Sequence, residues 1–168
     1  ELIKSDITEK ILYIKNKENL IYLNTKKLEK YLGEDVRIKN IEIKKVYPSE
    51  LVVKIEESKP YSYLRQGNNF YVINDVGEIF AYIDEISNKN LPIIDAANKD
   101  DLEDILQVLS NIKNENFFSN ISEIKKVKSD YEILLNDGTL IKTSIVVNHT
   151  KYENCFKLYQ SLISENKK

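Results

Sequence analysis

Apolar residues along this chain follow two periods, and the switches between them mark out its elements. From Ile38 to Val46 and from Leu51 to Ile55 the pattern alternates, with Ile41 and Ile43, then Leu51, Val53 and Ile55, on one side, as in half-buried strands. The turn Tyr47-Pro48-Ser49-Glu50 joins the two, and Lys59-Pro60 stops the second. Upstream the spacing is helical. Ile7, Ile11 and Ile14 follow Ser5, and Leu28 and Leu32 follow Thr25 and end at Gly33, so Ser5 and Thr25 are the expected N-caps. Two short one-faced helices need an apolar partner, and the alternating strands supply one sheet face. The first expected domain, residues 1–60, is therefore a small two-layer unit.

Residues 61–168 read as a second domain. Phe70 to Ile73 and Glu78 to Tyr82 flank Asn74-Asp75-Val76-Gly77, where Gly77 supplies positive φ. Tyr131 to Leu135 and Thr139 to Ile141 flank Asn136-Asp137-Gly138, the content of a tight antiparallel turn. Between these hairpins Asn98 caps a helix with Leu102, Ile105, Leu106, Leu109 and Ile112 on one stripe, which must cover a sheet. A last helix is expected to open at Thr150, with Glu153 completing a capping box, and to carry Tyr152, Cys155, Phe156, Tyr159, Leu162 and Ile163 inward. The fold class is α+β: two helices on a small sheet, then a mixed β-sheet domain with covering helices.

Composition removes several functions. At 168 residues the chain can bury a real core. Its net charge of -2, with both signs abundant, gives the chain as a whole no strong bias toward nucleic acid or anionic membrane. One cysteine, Cys155, and one histidine, His149, leave no internal disulfide and little zinc or triad chemistry. Without any methionine, Glu1 is not expected to be a translation start, and the chain reads as a processed product or an excised piece. No apolar run approaches the roughly 18–20 residues of a spanning helix.

His149 and Cys155 lie on either side of a helix start, where a cysteine facing inward is a small apolar core residue rather than a nucleophile. Asp100, Asp101, Glu103 and Asp104 fall on the first turn of a helix, where acidic groups complement the macrodipole. The few glycines are isolated, so no phosphate cradle opens a helix. No catalytic, cofactor-binding or metal-binding residue is assigned. Lys125, Lys126 and Lys128 form a basic strip on or beside the strand preceding Tyr131, a pattern that serves solubility or discourages edge pairing. Eleven tyrosines exceed what a core needs, and tyrosine is enriched at interfaces.

The order helix, helix, strand, Tyr-Pro turn, strand resembles the POTRA module of the FtsQ/DivIB family of bacterial cell-division proteins. Lys45, Tyr47, Pro48, Leu51, Glu57 and Pro60 match its frame of a basic residue, an aromatic, proline, and a strand closing on Glu-Arg-x-Pro. Ile73-Asn74-Asp75-Val76-Gly77-Glu78-Ile79-Phe80 followed by Leu91-Pro92 is similar to the family's next hairpin, with Ser58, Ser62 and Asn74 standing where arginine, alanine and aspartate are usual. The resemblance implies a strand ahead of the first helix, with Glu1-Leu2-Ile3 as its tail, and another after the last. It also implies a non-enzymatic scaffold of the divisome that meets the cytoplasmic membrane only through one helix upstream, with this portion on the extracytoplasmic side at the septum. The implied partners are FtsL-type and FtsB/DivIC-type proteins and other septal synthesis proteins, added as strands to an open sheet edge. No nucleic acid or cofactor is implied. On this reading Lys125, Lys126, Lys128 and Glu57 are candidate partner contacts. The alternative is a POTRA-bearing chaperone of outer-membrane protein assembly or secretion, which would carry tandem POTRA units or a barrel.

Overall fold

A computed structural model of the protein describes residues 7–12, 19–82, 90–145 and 147–166. Ser5, Ile14 and the Glu1-Leu2-Ile3 strand tail lie outside the described residues. The chain divides into two compact units, Glu1–Ser58 and Lys59–Lys168.

In the first unit a helical stretch at residues 7–12 (α1) and α2 (Thr25–Leu32) lie against β1 (Ile38–Val46) and β2 (Glu50–Glu57), an antiparallel pair. The register sets Ile41 opposite Ile55, Ile43 opposite Val53 and Lys45 opposite Leu51, so the alternation read from the sequence becomes one apolar sheet face. Ile7, Leu23, Leu28, Leu32, Ile38 and Ile43 are buried together there. The cap of α2 is Asn24 rather than Thr25: its side chain accepts the Lys27 N–H at 3.1 Å, and Thr25 is already helical. Both residue types cap well, and the earlier one wins. Gly33 ends α2 at φ -72, so its role is not left-handed freedom.

Among the described residues, the second unit is built on a seven-stranded sheet in the order β5-β4-β3-β6-β7-β8-β9. Its strands are β3 (Ser62–Gln66), β4 (Asn69–Ile73), β5 (Ile79–Tyr82), β6 (Ile93–Asp95), β7 (Ile121–Val127), β8 (Asp130–Leu135) and β9 (Leu140–Thr143). The helices are α3 (Lys99–Ser110), α4 (Glu115–Ser119) and α5 (His149–Asn166). β6 pairs parallel with β3 and β7, and the remaining pairs are antiparallel, which makes the sheet mixed. Leu64, Ile94, Ile124, Ile133 and Leu135 share a core with Ile105, Leu109, Phe117, Tyr152 and Phe156 of the helices.

Local chemistry fixes the turns. Asn74 holds the β4–β5 connection by accepting the Val76 and Glu78 N–H groups at 3.2 and 2.9 Å, and Gly77 takes φ +87. In the β8–β9 turn Asp137 accepts the Thr139 N–H at 2.9 Å and Gly138 takes φ +87. Asn98 caps α3 as expected, accepting the Asp101 N–H at 2.9 Å.

The start of α5 departs from expectation. Asn148 accepts the Lys151 N–H at 3.2 Å, and Thr150 lies inside the helix, so Thr150 and Glu153 form no capping box. Leu162 also departs, being 53% exposed. Tyr152, Phe156, Tyr159 and Ile163 already make a stripe at spacings of 4, 3 and 4, and Leu162 sits roughly 90° round the helix from it.

Candidate functional site

β9 is the terminal strand of the sheet, and among the described residues no strand pairs with its outer side. Its inner side is bonded to β8, with Leu134 opposite Leu140, Ile133 opposite Ile141 and Glu132 opposite Lys142. The Leu135 N–H donates to the Thr139 carbonyl at 2.9 Å, making 135/139 a hydrogen-bonded pair. Bonded and non-bonded pairs alternate in an antiparallel ladder. Ile141 and Thr143 therefore face β8 with their backbone groups, while Leu140 and Lys142 turn theirs outward. Leu140 is 48% exposed.

Beside this edge lies a groove of about 430 Å³, lined by Ile141, Thr143 and Val147 on one side and Lys151, Tyr152 and Cys155 of α5 on the other. α5 is held there by its aromatic stripe. Phe156 stacks on Phe117 at 4.9 Å between centroids, and the Tyr159 hydroxyl donates to Asp137 in the β8–β9 turn at 3.0 Å. The Tyr152 hydroxyl meets Thr143 Oγ1 at 3.0 Å, which ties the helix directly to β9. Burial pushes the Cys155 thiol and the Tyr152 hydroxyl upward, so both stay protonated near neutrality.

The face of the sheet away from the helices carries a charge ladder. Arg65 on β3 bonds Asp95 on β6 and Glu123 on β7. Glu132 on β8 pairs with Lys142 at 3.1 Å and Lys125 at 3.6 Å. The Lys142 hydrogen bond holds the Glu132 carboxyl below the usual range.

The three lysines predicted as a strip do not form one. β7 is interior, between β6 and β8, and successive side chains on a strand point to opposite faces. Lys125 joins the charge ladder. Lys126 turns to the helical face, where Asp101 and Asp104 of α3 accept from its ammonium at 2.8 and 3.0 Å. The Tyr131 hydroxyl also donates to Asp104, at 2.9 Å. Asp101 and Asp104 hold the Lys126 ammonium above its ordinary value, and the Lys126 hydrogen bond, with that of Tyr131, holds Asp104 below its own. Lys128 sits in the β7–β8 turn at φ 58 and is exposed.

Glu57 belongs to the first unit, exposed at the end of β2 opposite Ile38. Of the frame residues, Lys45 donates to the Ile21 carbonyl at 3.1 Å, Leu51 packs on the core, and Tyr47 and Pro48 form the exposed turn. Pro60 is half-buried at the start of the second unit.

Sequence reasoning missed β3, β6 and the grip of two α3 carboxylates on Lys126. For β3 a signal was present, since Gly67-Asn68 between Ser62–Gln66 and Asn69–Ile73 is a two-residue hairpin turn, with Gly67 at φ 61. For Lys126 the tertiary pairing left no trace in spacing.

No catalytic constellation forms among the described residues. His149 is exposed at the first position of α5, and six positions along a helix separate it from Cys155 by about 120°. No group of three or more His, Cys, Asp or Glu among the described residues could hold a metal, and no described helix is long and apolar enough to cross a membrane.

Comparison with known proteins places both units. Residues 62–168 match the family model described as cell division protein FtsQ/DivIB, C-terminal, and residues 1–58 match that of the POTRA domain, FtsQ-type. The chain is similar to the cell division protein DivIB of Clostridium tetani, at 29% identity over 137 residues covering 79% of this chain and 51% of the relative. Against DivIB of Bacillus subtilis (strain 168) the figures are 28% over 153 residues, 85% and 54%. The chain spans about half the length of these relatives. Among solved structures it is similar to the major extracytoplasmic domain of the trans isomer of DivIB from Geobacillus stearothermophilus, with TM-score 0.43 and 15% identity, covering 54% of this chain and 81% of that one.

Proposed function

The chain belongs to the FtsQ/DivIB family of bacterial cell-division proteins, and from that premise we propose that it is a non-enzymatic divisome scaffold working by main-chain recognition at the outer edge of β9. The observation that carries the proposal is the outward direction of the Leu140 and Lys142 backbone groups on the last strand of the sheet. A strand laid beside them continues the ladder and satisfies groups that no strand pairs with among the described residues. Its side chains then alternate. One set enters the groove beside Tyr152 and Cys155, and the other meets Lys142 and Glu132 on the charged face. Backbone bonds supply affinity, and these two flanks select the partner.

The partners proposed are small FtsL-type and FtsB/DivIC-type division proteins, with other septal synthesis proteins nearby. The parent protein is held in the cytoplasmic membrane by a helix upstream, and this portion works on the extracytoplasmic side at the septum. Lys125, Lys128 and Glu57 are proposed as peripheral contacts that bias which acidic or basic segment arrives first. Lys126 is spent on α3 and acts by fixing that helix to the sheet.

Lys142→Pro tests the proposal, because it removes one outward N–H while the inner bonds of Ile133 to Ile141 remain. Binding to a DivIC-type ectodomain is expected to weaken at least tenfold, with the fold intact by circular dichroism. Unchanged affinity in a folded Lys142→Pro protein would remove the β9 edge from the mechanism.

A further inference from the structure

Among the described residues, four large apolar side chains are exposed at one end of the first unit: Ile21 at 61%, Tyr22 at 83%, Val46 at 45% and Tyr47 at 64%. Ile21 and Tyr22 come from the loop ahead of α2, Val46 is the last residue of β1, and Tyr47 opens the β1–β2 turn. Lys45 Nζ, donating to the Ile21 carbonyl at 3.1 Å, holds these two loops side by side. The fold does not require them, since Leu20 and Leu23 of the same loop already face the core. Turns are ordinarily filled by small or polar residues.

Two lysines stand at the start of α2 at this end, in a chain whose net charge is -2. Lys26 and Lys27 occupy the first turn of α2, which holds no acidic residue, and there lysine opposes the helix dipole. Both are exposed, and among the described residues neither pairs with a carboxylate. Lys44 is engaged by Glu42 at 2.7 Å, and Glu50 is the exposed carboxylate nearest the turn. The placement of Lys26 and Lys27 therefore does not favour α2, and it puts positive charge next to the loop that carries Ile21 and Tyr22.

That combination is the chemistry of a membrane–water interface, where tyrosine rings sit at headgroup depth and lysines meet anionic groups. A stable protein interface needs roughly 800 Å² from each partner, more than four such side chains supply. A bilayer demands no such matched area. We propose that this end of the first unit rests on a lipid surface bearing anionic headgroups, with Tyr22 and Tyr47 in the headgroup layer and Lys26 and Lys27 against its charge. The contact stands apart from the β9 edge, which belongs to the second unit.

Cosedimentation of the chain with vesicles of equal phosphatidylglycerol and phosphatidylcholine, and with phosphatidylcholine alone, tests it. Binding is expected to the anionic vesicles, weaker at high salt. It should fall about fivefold in Lys26→Gln and again in Lys27→Gln. The Tyr22→Ser/Tyr47→Ser protein should lose at least fivefold, while Tyr31→Ser, exposed at 54% on the last turn of α2, and Lys142→Pro should bind like the parent chain. Circular dichroism checks that each variant folds. The proposal is overturned by absence of binding to the anionic vesicles, or by equal loss in Tyr31→Ser. It is also overturned if Tyr22→Ser/Tyr47→Ser abolishes capture of a DivIC-type ectodomain and leaves vesicle binding intact, which would assign the patch to a protein.

Discussion

Replacing Phe156 with alanine tests how α5 is anchored beside β9. The ring is 3% exposed, stacks on Phe117 at 4.9 Å with planes 8° apart, and lies 5.7 Å from Tyr159. Removing a buried phenylalanine costs about 3–5 kcal/mol through lost transfer free energy and the cavity left behind. The stacked pairs lie toward the upper half of that range. Spread over a unit of this size, the loss lowers the melting temperature by about 15–30 °C. Leu162→Ala is the control on the same helix. That side chain is 53% exposed, so its loss should stay within about 0.5 kcal/mol. The chain has no tryptophan, so scanning calorimetry and the near-ultraviolet dichroism of its tyrosines are the assays, and calorimetry also resolves separate melting of the two units. Comparable losses in Phe156→Ala and Leu162→Ala would refute the rotation of α5 and, with it, the groove beside β9.

Other outcomes follow from the same geometry. Gly77→Ala should destabilise by about 1 kcal/mol or more, because Gly77 sits at φ +87 and an added Cβ would meet Leu106 Cδ1 at 2.9 Å. Gly67→Ala, with nothing within 4 Å, should lose less, as urea midpoints will show. Asn98→Ala removes the acceptor for the Asp101 N–H and should cost about 1 kcal/mol. Acid should destabilise the chain through carboxylates held low in the folded state: Asp35 by its Arg37 hydrogen bond, Glu132 by Lys142 and Asp104 by Lys126. Their contribution is full above the ordinary carboxylate range near pH 4 and is lost as pH falls through the lowered folded values, so urea midpoints should be flat from pH 7 to 5 and drop below about 4. Burial pushes the Tyr61 hydroxyl up to about 12 from an ordinary value of 10.0. Its contribution is therefore complete below pH 10 and is lost as pH rises toward 12, and Tyr61→Phe should blunt that alkaline loss.

What the sequence revealed and what it hid have the same physical origin. Alternation at Ile41, Ile43, Leu51, Val53 and Ile55 and the stripe of α3 were legible because period and burial coincide there. The positive-φ turns at Gly77 and Gly138 were legible because few other residues tolerate that backbone. The caps at Asn24 and Asn148 were misplaced by one or two residues because neighbouring polar residues compete for the same role. Leu162 was misplaced because two overlapping stripes fit α5 and only packing against Phe117 chooses between them. Lys126 was placed on a solvated strip because its partners, Asp101 and Asp104, lie more than 20 positions away and looked complete as helix-start charges. The β9 edge was invisible as a location, since strand order is not written in local spacing.

Amide hydrogen exchange, read residue by residue with and without a DivIC-type ectodomain, tests main-chain recognition most directly. The account predicts that the Leu140 and Lys142 amides become strongly protected in the complex, while Ile141, already bonded to β8, changes little. A stable complex in which Leu140 and Lys142 exchange as fast as in the chain alone would contradict it.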